Sequence, residues 1–116
     1  MSKARSATRG FVTVHAIVIF GQPVFAGRYL TGDYAMLAVH RFGADLVFAI
    51  GLAQLVPTAL LWRHGGPRWP FWASLLLVAG ETAQYFAGLA GALDLHVPLG
   101  VALVALAVVV LIAIWR

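Results

Sequence analysis

The feature that most constrains the fold is a set of four long apolar segments separated by short polar ones. They span residues 10–28, 35–62, 70–91 and 96–115, and each is close to the roughly 20 residues that a helix needs to cross a bilayer. Inside lipid a backbone must satisfy its own hydrogen bonds, which favours helices. The sequence therefore predicts an all-α fold: one integral membrane domain over residues 1–116, built as an up-down-up-down four-helix bundle.

Basic residues are distributed unevenly between the two ends of this predicted bundle. All four tryptophans lie at the end that is richer in basic residues, as an interfacial aromatic belt does. By the positive-inside rule that end is cytoplasmic, so both termini are expected inside. The chain is thus predicted to be a multi-pass protein of the bacterial cytoplasmic (inner) membrane. Six of the eight basic residues mark this end: Lys3, Arg5, Arg9, Arg63, Arg68 and Arg116.

The net charge of +4 is explained by this topology, so the sequence predicts contact with membrane lipid and no nucleic-acid partner. The chain also contains no cysteine. Disulfides, iron–sulfur clusters, thiolate metal sites and covalent c-type haem attachment are therefore excluded. A cofactor would need other side chains, and ionisable groups within membrane segments are the first candidates because they usually have a function.

Two histidines occupy matching positions in the second and fourth segments. His40 lies 22 residues from Trp62 and His96 lies 19 residues from Trp115. These are roughly 33 and 29 Å of helix, so both histidines are expected near the outer surface, within about one turn of each other. Helices two and four are diagonal in the predicted bundle, with backbones roughly 11 to 14 Å apart. The pair predicts one non-covalent haem b, with His40 and His96 as ligands of the haem iron.

Small and basic residues near the two histidines fit the same hypothesis. Gly43 and Gly100 share the histidine faces and would make room for a flat ring, although small residues also serve close packing of membrane helices. Arg28 and Arg41 are the basic residues on the outer side, and we expect them to bind the haem propionates. For Arg41 the alternative is that its side chain simply extends to the interface.

A weak internal repeat relates the two halves of the chain. Residues 25–27 and 86–88 both read Phe-Ala-Gly, and each triplet is followed, after an outer loop, by a histidine and then a glycine. Both predicted hairpins start from the cytoplasm. The repeat therefore predicts a pseudo-two-fold axis along the membrane normal.

A second group of polar side chains is predicted deeper in the bundle. His15 lies too far toward the cytoplasmic end to share an iron with His40, and Glu81 lies near the middle of the third segment. His15 and Glu81 are candidates for a proton relay, since an acid at that depth is a functional candidate. The alternative is a set of interhelical hydrogen bonds that fix helix register. The whole group is His15, Gln22, Gln54, Glu81 and Gln84.

The stretches "GRYLTGDYAMLAVHR" and "LDLHVPLGVAL" resemble a family of small four-helix bacterial membrane proteins. More distantly, they resemble one four-helix half of the haem A synthases, in which histidines on paired helices hold a haem. The resemblance covers about residues 21–103. It implies haem binding by His40 and His96. It does not imply the synthase reaction, because that enzyme has two such halves and this chain has one.

The predicted function is a small b-type cytochrome for electron transfer or redox sensing near the outer face. A quinone or another redox protein is the expected partner, and a homo-oligomer is compatible with the sequence. Two axial histidines leave no open position on the iron, so an electron carrier is favoured over a catalyst. Two alternatives stay open: a proton-coupled small transporter that uses Glu81 and His15, and a membrane subunit without a cofactor.

Overall fold

A computed structural model describes residues 2–116. The described chain consists of four α-helices, and within it no strand is present. The all-α, four-helix prediction is confirmed. The helices are α1 (Lys3–Leu30), α2 (Met36–Arg63), α3 (Trp69–Leu89) and α4 (Leu93–Trp115).

The first helix is longer than the sequence pattern indicated. α1 begins at Lys3 rather than near residue 10, and Ser2 is its N-cap. The Ser2 hydroxyl oxygen accepts a hydrogen bond from the backbone N–H of Arg5 at 3.1 Å. Lysine, arginine and alanine are good helix formers, so the basic start extends the helix instead of forming a separate loop.

The connection between α3 and α4 is shorter than expected. α3 ends at Leu89, ahead of Gly91, whose φ of 68° ends the helical path. α4 begins at Leu93, with Ala92 at its N-cap position. Asp94 lies within the first turn of α4, and its carboxylate oxygen accepts from the N–H of Leu95 at 3.1 Å.

Each helix packs against the next in the chain, and α1 also packs against α4. The backbones of α1 and α3, and those of α2 and α4, do not approach each other closely, so these two pairs are diagonal. Short connections make neighbouring helices antiparallel. The diagonal relation of α2 and α4, on which the histidine prediction depends, is present.

Side chains at the two chain ends close the bundle between α1 and α4. Arg9 Nε donates to the carbonyl oxygen of Ile114 at 2.9 Å, and its guanidinium lies 4.8 Å from the centre of the Trp115 ring. Trp115 Nε1 donates to the hydroxyl of Thr13 at 3.0 Å. These contacts link the beginning of the first helix to the end of the last one.

The interior is apolar along most of its length but contains one polar layer. Large apolar side chains cover the outside, including Ile17, Phe42 and Val101, each about two-thirds exposed. The apolar core is Val12, Ala16, Ile19, Val47, Leu77, Leu103, Ala107, Val110 and Ile114. The buried polar residues are Thr8, His15, Gln54, Thr58, Ser74 and Glu81.

Three helices of the described chain, α1, α2 and α4, are long and apolar enough to cross a membrane. The sequence pattern predicted four such segments. α3 is the shortest helix and is not among these three, and the polar residues Ser74, Glu81 and Gln84 interrupt its apolar sequence.

Candidate functional site

The imidazole rings of His40 and His96 meet across the diagonal of the bundle. Their centres lie 6.2 Å apart, and their planes are inclined at 82°. Both residues are half-buried, near the end of the bundle that carries the α1–α2 and α3–α4 connections. The two histidines that the sequence placed at one level are therefore brought together.

Each of these rings is held by a backbone carbonyl of the preceding helix. His40 Nδ1 lies 3.1 Å from the carbonyl oxygen of Gln22, and His96 Nδ1 lies 2.9 Å from that of Gln84. A carbonyl oxygen can only accept, so both neutral rings carry their proton on Nδ1. In both rings, the Nε2 lone pair is left available for a metal, and this is how histidine ligands are usually oriented in metal sites.

Each hairpin supplies one histidine whose ring is held in the same way, and the pseudo-two-fold axis stays a prediction. α1 and α2 supply Gln22 and His40, while α3 and α4 supply Gln84 and His96 in the same arrangement. Gln22 adds one further bond, from its Nε2 to the carbonyl oxygen of His40 at 2.8 Å.

The sequence analysis assigned Gln22 and Gln84 to the deeper polar group, and this assignment is wrong. Helical counting gave their faces correctly but not their partners, which depend on how the helices pack. A partial signal is the repeat itself, since Gln22 lies three positions and Gln84 two positions before a Phe-Ala-Gly triplet.

Glycines allow the glutamines and histidines to pack closely. A Cβ atom on Gly43 would overlap the side chain of Gln22, and one on Gly100 would lie 2.8 Å from Gln84 Nε2. A Cβ on Gly88 would lie 2.8 Å from Cε1 of His96. The room beside Gly43 and Gly100 thus holds amide groups, which is the close-packing alternative. Their contribution to a ring pocket stays a prediction.

Arg28 and Arg41 lie at the surface, near the end of the bundle that carries the α1–α2 and α3–α4 connections. Arg28 Nη2 is 3.0 Å from Asp33 Oδ2, and both side chains are exposed. Arg41 is exposed next to His40. Within residues 2–116, neither arginine forms a hydrogen bond or a cation–π contact with a histidine ring, so propionate binding by Arg28 and Arg41 stays a prediction.

The deeper polar layer joins α1, α2 and α3. His15 Nε2 lies 2.6 Å from Glu81 Oε1, and both side chains are almost fully buried. His15 Nδ1 lies 3.1 Å from Gln54 Oε1, and Gln54 Nε2 donates to the Ser74 hydroxyl at 2.8 Å. Sequence reasoning missed Ser74, which lies seven positions before Glu81 and so on the same face of α3.

No group of three or more His, Asp or Glu side chains that could hold a metal ion occurs in residues 2–116. Comparisons with protein-family models, curated proteins and solved structures give no match. The geometry of the two histidine sites is therefore the basis on which a function can be proposed.

Proposed function

We propose that this chain is a small membrane-embedded b-type cytochrome that holds one haem between α2 and α4. The observation that carries the proposal is the His40–His96 pair, with ring centres 6.2 Å apart and both Nδ1 atoms donating to backbone carbonyls. The proposal includes the bacterial inner membrane as location, with both termini cytoplasmic.

The separation of the two rings fits axial ligation of one iron. An iron bound about 2 Å from each Nε2 would separate the ring centres by roughly 6 Å, because each nitrogen lies about 1 Å from the centre of its ring. The distance of 6.2 Å agrees with this value.

The number of protein ligands favours haem over a bare metal ion. Within the described chain only His40 and His96 converge on this point. A bare transition-metal ion in a protein usually takes three or four side-chain ligands, whereas a porphyrin supplies the equatorial ligands itself.

The outer surface supports a lipid environment. Exposed apolar side chains cover three helices that are long enough to cross a bilayer. The fourth helix, α3, would be carried across with them, since its polar residues Ser74 and Glu81 are buried inside the bundle. Lipid then contacts apolar side chains on every helix.

Bound haem would supply one-electron chemistry at the site. The chain itself would orient the ligands and fix their protons. The backbone carbonyl oxygens of Gln22 and Gln84 hold the rings of His40 and His96. With both axial positions filled, the site suits an electron carrier rather than an oxygen-activating enzyme. The half-buried position of the pair leaves the site within reach of a quinone or a redox protein at the outer face.

Absorption spectroscopy of the purified protein tests the proposal. We expect a low-spin spectrum that sharpens on dithionite reduction and disappears in His40→Ala and in His96→Ala. His64→Ala is the matched control, because His64 lies exposed in the α2–α3 connection and should keep the full spectrum. A wild-type protein that stays colourless after haem is supplied during expression would overturn the proposal and favour a cofactor-free subunit.

A proton-coupled transporter is the second candidate, and the buried His15–Glu81 contact is the observation that favours it. Uptake or efflux driven by a proton gradient in vesicles would support this function. Such transport should be lost in Glu81→Gln and retained in His40→Ala, which is the opposite of the pattern expected for the cytochrome.

A further inference from the structure

We propose that His15 and Glu81 form a buried proton-binding site in the inner half of the bundle, separate from the histidine pair of the proposed haem site. The ligand is a single proton, shared between His15 Nε2 and Glu81 Oε1 and exchangeable with solution. This proposal goes beyond the proposed function and does not depend on haem.

The direction of each hydrogen bond in the polar layer can be assigned in turn, starting at Ser74. The Ser74 hydroxyl donates to the carbonyl oxygen of Pro70 at 2.7 Å, so its oxygen must accept from Gln54 Nε2. The amide oxygen of Gln54 then faces His15, and His15 Nδ1 must be the donor of that bond. The tautomer of His15 is therefore fixed by the neighbours of the ring.

The contact on the other side of the His15 ring requires one more proton. With Nδ1 protonated, neutral His15 presents a lone pair on Nε2 to a Glu81 oxygen 2.6 Å away. Two lone pairs at this distance repel each other, so a proton must lie between them, either on the carboxyl group or on the ring. In both cases the pair as a whole is neutral, which is the inexpensive state in an apolar interior.

Within the polar layer, only the His15–Glu81 pair can change its charge. Among the described residues, His15 and Glu81 are the only buried ionisable ones. α2 faces them with Gly51 and Gln54, and α3 adds Ser74 and apolar residues beside Glu81 itself. The buried residues of α4 are all apolar: Leu103, Ala107, Val110 and Ile114.

The second carboxylate oxygen of Glu81 takes no part in the hydrogen bonds of the layer. Glu81 Oε2 is buried and has no hydrogen-bond partner within residues 2–116. It faces Gly51, where an added Cβ would approach it to 2.7 Å. The carboxyl group of Glu81 is therefore held by a single contact, that of Oε1 with His15.

Infrared spectroscopy of the full-length protein tests this site without mutation, because Glu81 is the single glutamate in the sequence. We would label glutamate with ¹³C at the side-chain carboxyl and record difference spectra between low and high pH. The expected result is a carboxyl band that changes with pH and shifts on labelling: the C=O band of the acid if the proton lies on Glu81, or the carboxylate band if it lies on the His15 ring. In His15→Gln the band should move in frequency, since its hydrogen-bond partner has changed.

Asp94→Asn provides the control, because Asp94 is an exposed acid and its loss should leave the label-sensitive band unchanged. The proposal is overturned if no label-sensitive band changes at any pH at which the protein stays folded. It is also overturned if the band changes identically in wild type and His15→Gln. Both readouts are independent of haem, so their failure is distinguishable from failure of the cytochrome proposal.

Discussion

The plane of the His40 ring is inclined at 82° to the plane of the His96 ring, across a gap of 6.2 Å between their centres. Each orientation is fixed by a separate hydrogen bond to a backbone carbonyl, that of Gln22 for one ring and that of Gln84 for the other. The perpendicular arrangement of the two rings has a spectroscopic signature.

Perpendicular axial imidazoles leave the two iron orbitals that interact with the ring π systems nearly equal in energy. We therefore expect the oxidised protein to give a strongly anisotropic low-spin EPR signal at low temperature. Parallel rings would give a well-resolved rhombic signal instead. A rhombic spectrum from the wild-type protein would contradict the ring orientation while leaving haem binding itself intact.

The glycine beside the His96 ring provides a steric test of the site. In Gly88→Ala the new Cβ would lie 2.8 Å from His96 Cε1, so the ring must move away from its hydrogen bond to Gln84. Overpacking of this kind costs about 1 to 3 kcal/mol. We expect haem content and affinity to fall by roughly tenfold or more, measured by haem titration of the purified protein.

Gly27→Ala is the matched control for that substitution. Gly27 belongs to the other Phe-Ala-Gly triplet, and a Cβ there would meet nothing within 4 Å. Haem affinity in Gly27→Ala should equal that of the wild type. An equal loss of haem affinity in both variants would mean that replacing a glycine in α1 or α3 disturbs the helix itself, and that the contact with the His96 ring is not the cause.

The sequence predicted the number of helices, their antiparallel order and the level of the two histidines, because apolar segment length and helical rise determine all three. It did not predict the partners of Gln22 and Gln84. Helical counting gives the face of a side chain, but which carbonyl a ring meets depends on the distance between two helices. The start of α1 was also missed, since the basic residues that indicate topology are equally good helix formers.

The polar layer should contribute to the stability of the bundle. In Gln54→Leu, His15 Nδ1 and the Ser74 hydroxyl oxygen each lose a buried partner. An unsatisfied buried group costs about 1 to 3 kcal/mol. We expect a clear fall in the temperature of thermal unfolding in detergent, without loss of the haem spectrum below that temperature.

Ala53→Leu is a suitable comparison for that change, because Ala53 is the exposed neighbour of Gln54 on α2. Its unfolding temperature should match the wild type. If Gln54→Leu also unfolds like the wild type, the hydrogen bonds of the layer contribute nothing net, and relaxation of the neighbouring helices must satisfy the two groups.

The two sites are close enough to influence each other electrostatically. Gln22, which holds the His40 ring, follows His15 by seven residues on α1, or roughly 10 Å of helix. Unit charges at that separation interact by about 1 to 2 kcal/mol at an effective dielectric constant of about 20. An electron added at the histidine pair should therefore favour a proton on the His15–Glu81 pair.

The sign of the pH dependence follows from this coupling. Because the reduced state holds the proton more tightly, raising the pH through the range in which the pair loses its proton should lower the reduction potential. A spectroelectrochemical titration of the haem-loaded protein at several pH values measures this slope. Glu81→Gln cannot exchange the proton, so its potential should stay flat over that range. Asp94→Asn should retain the wild-type slope, and a wild-type potential that does not vary with pH would show that the two sites act independently.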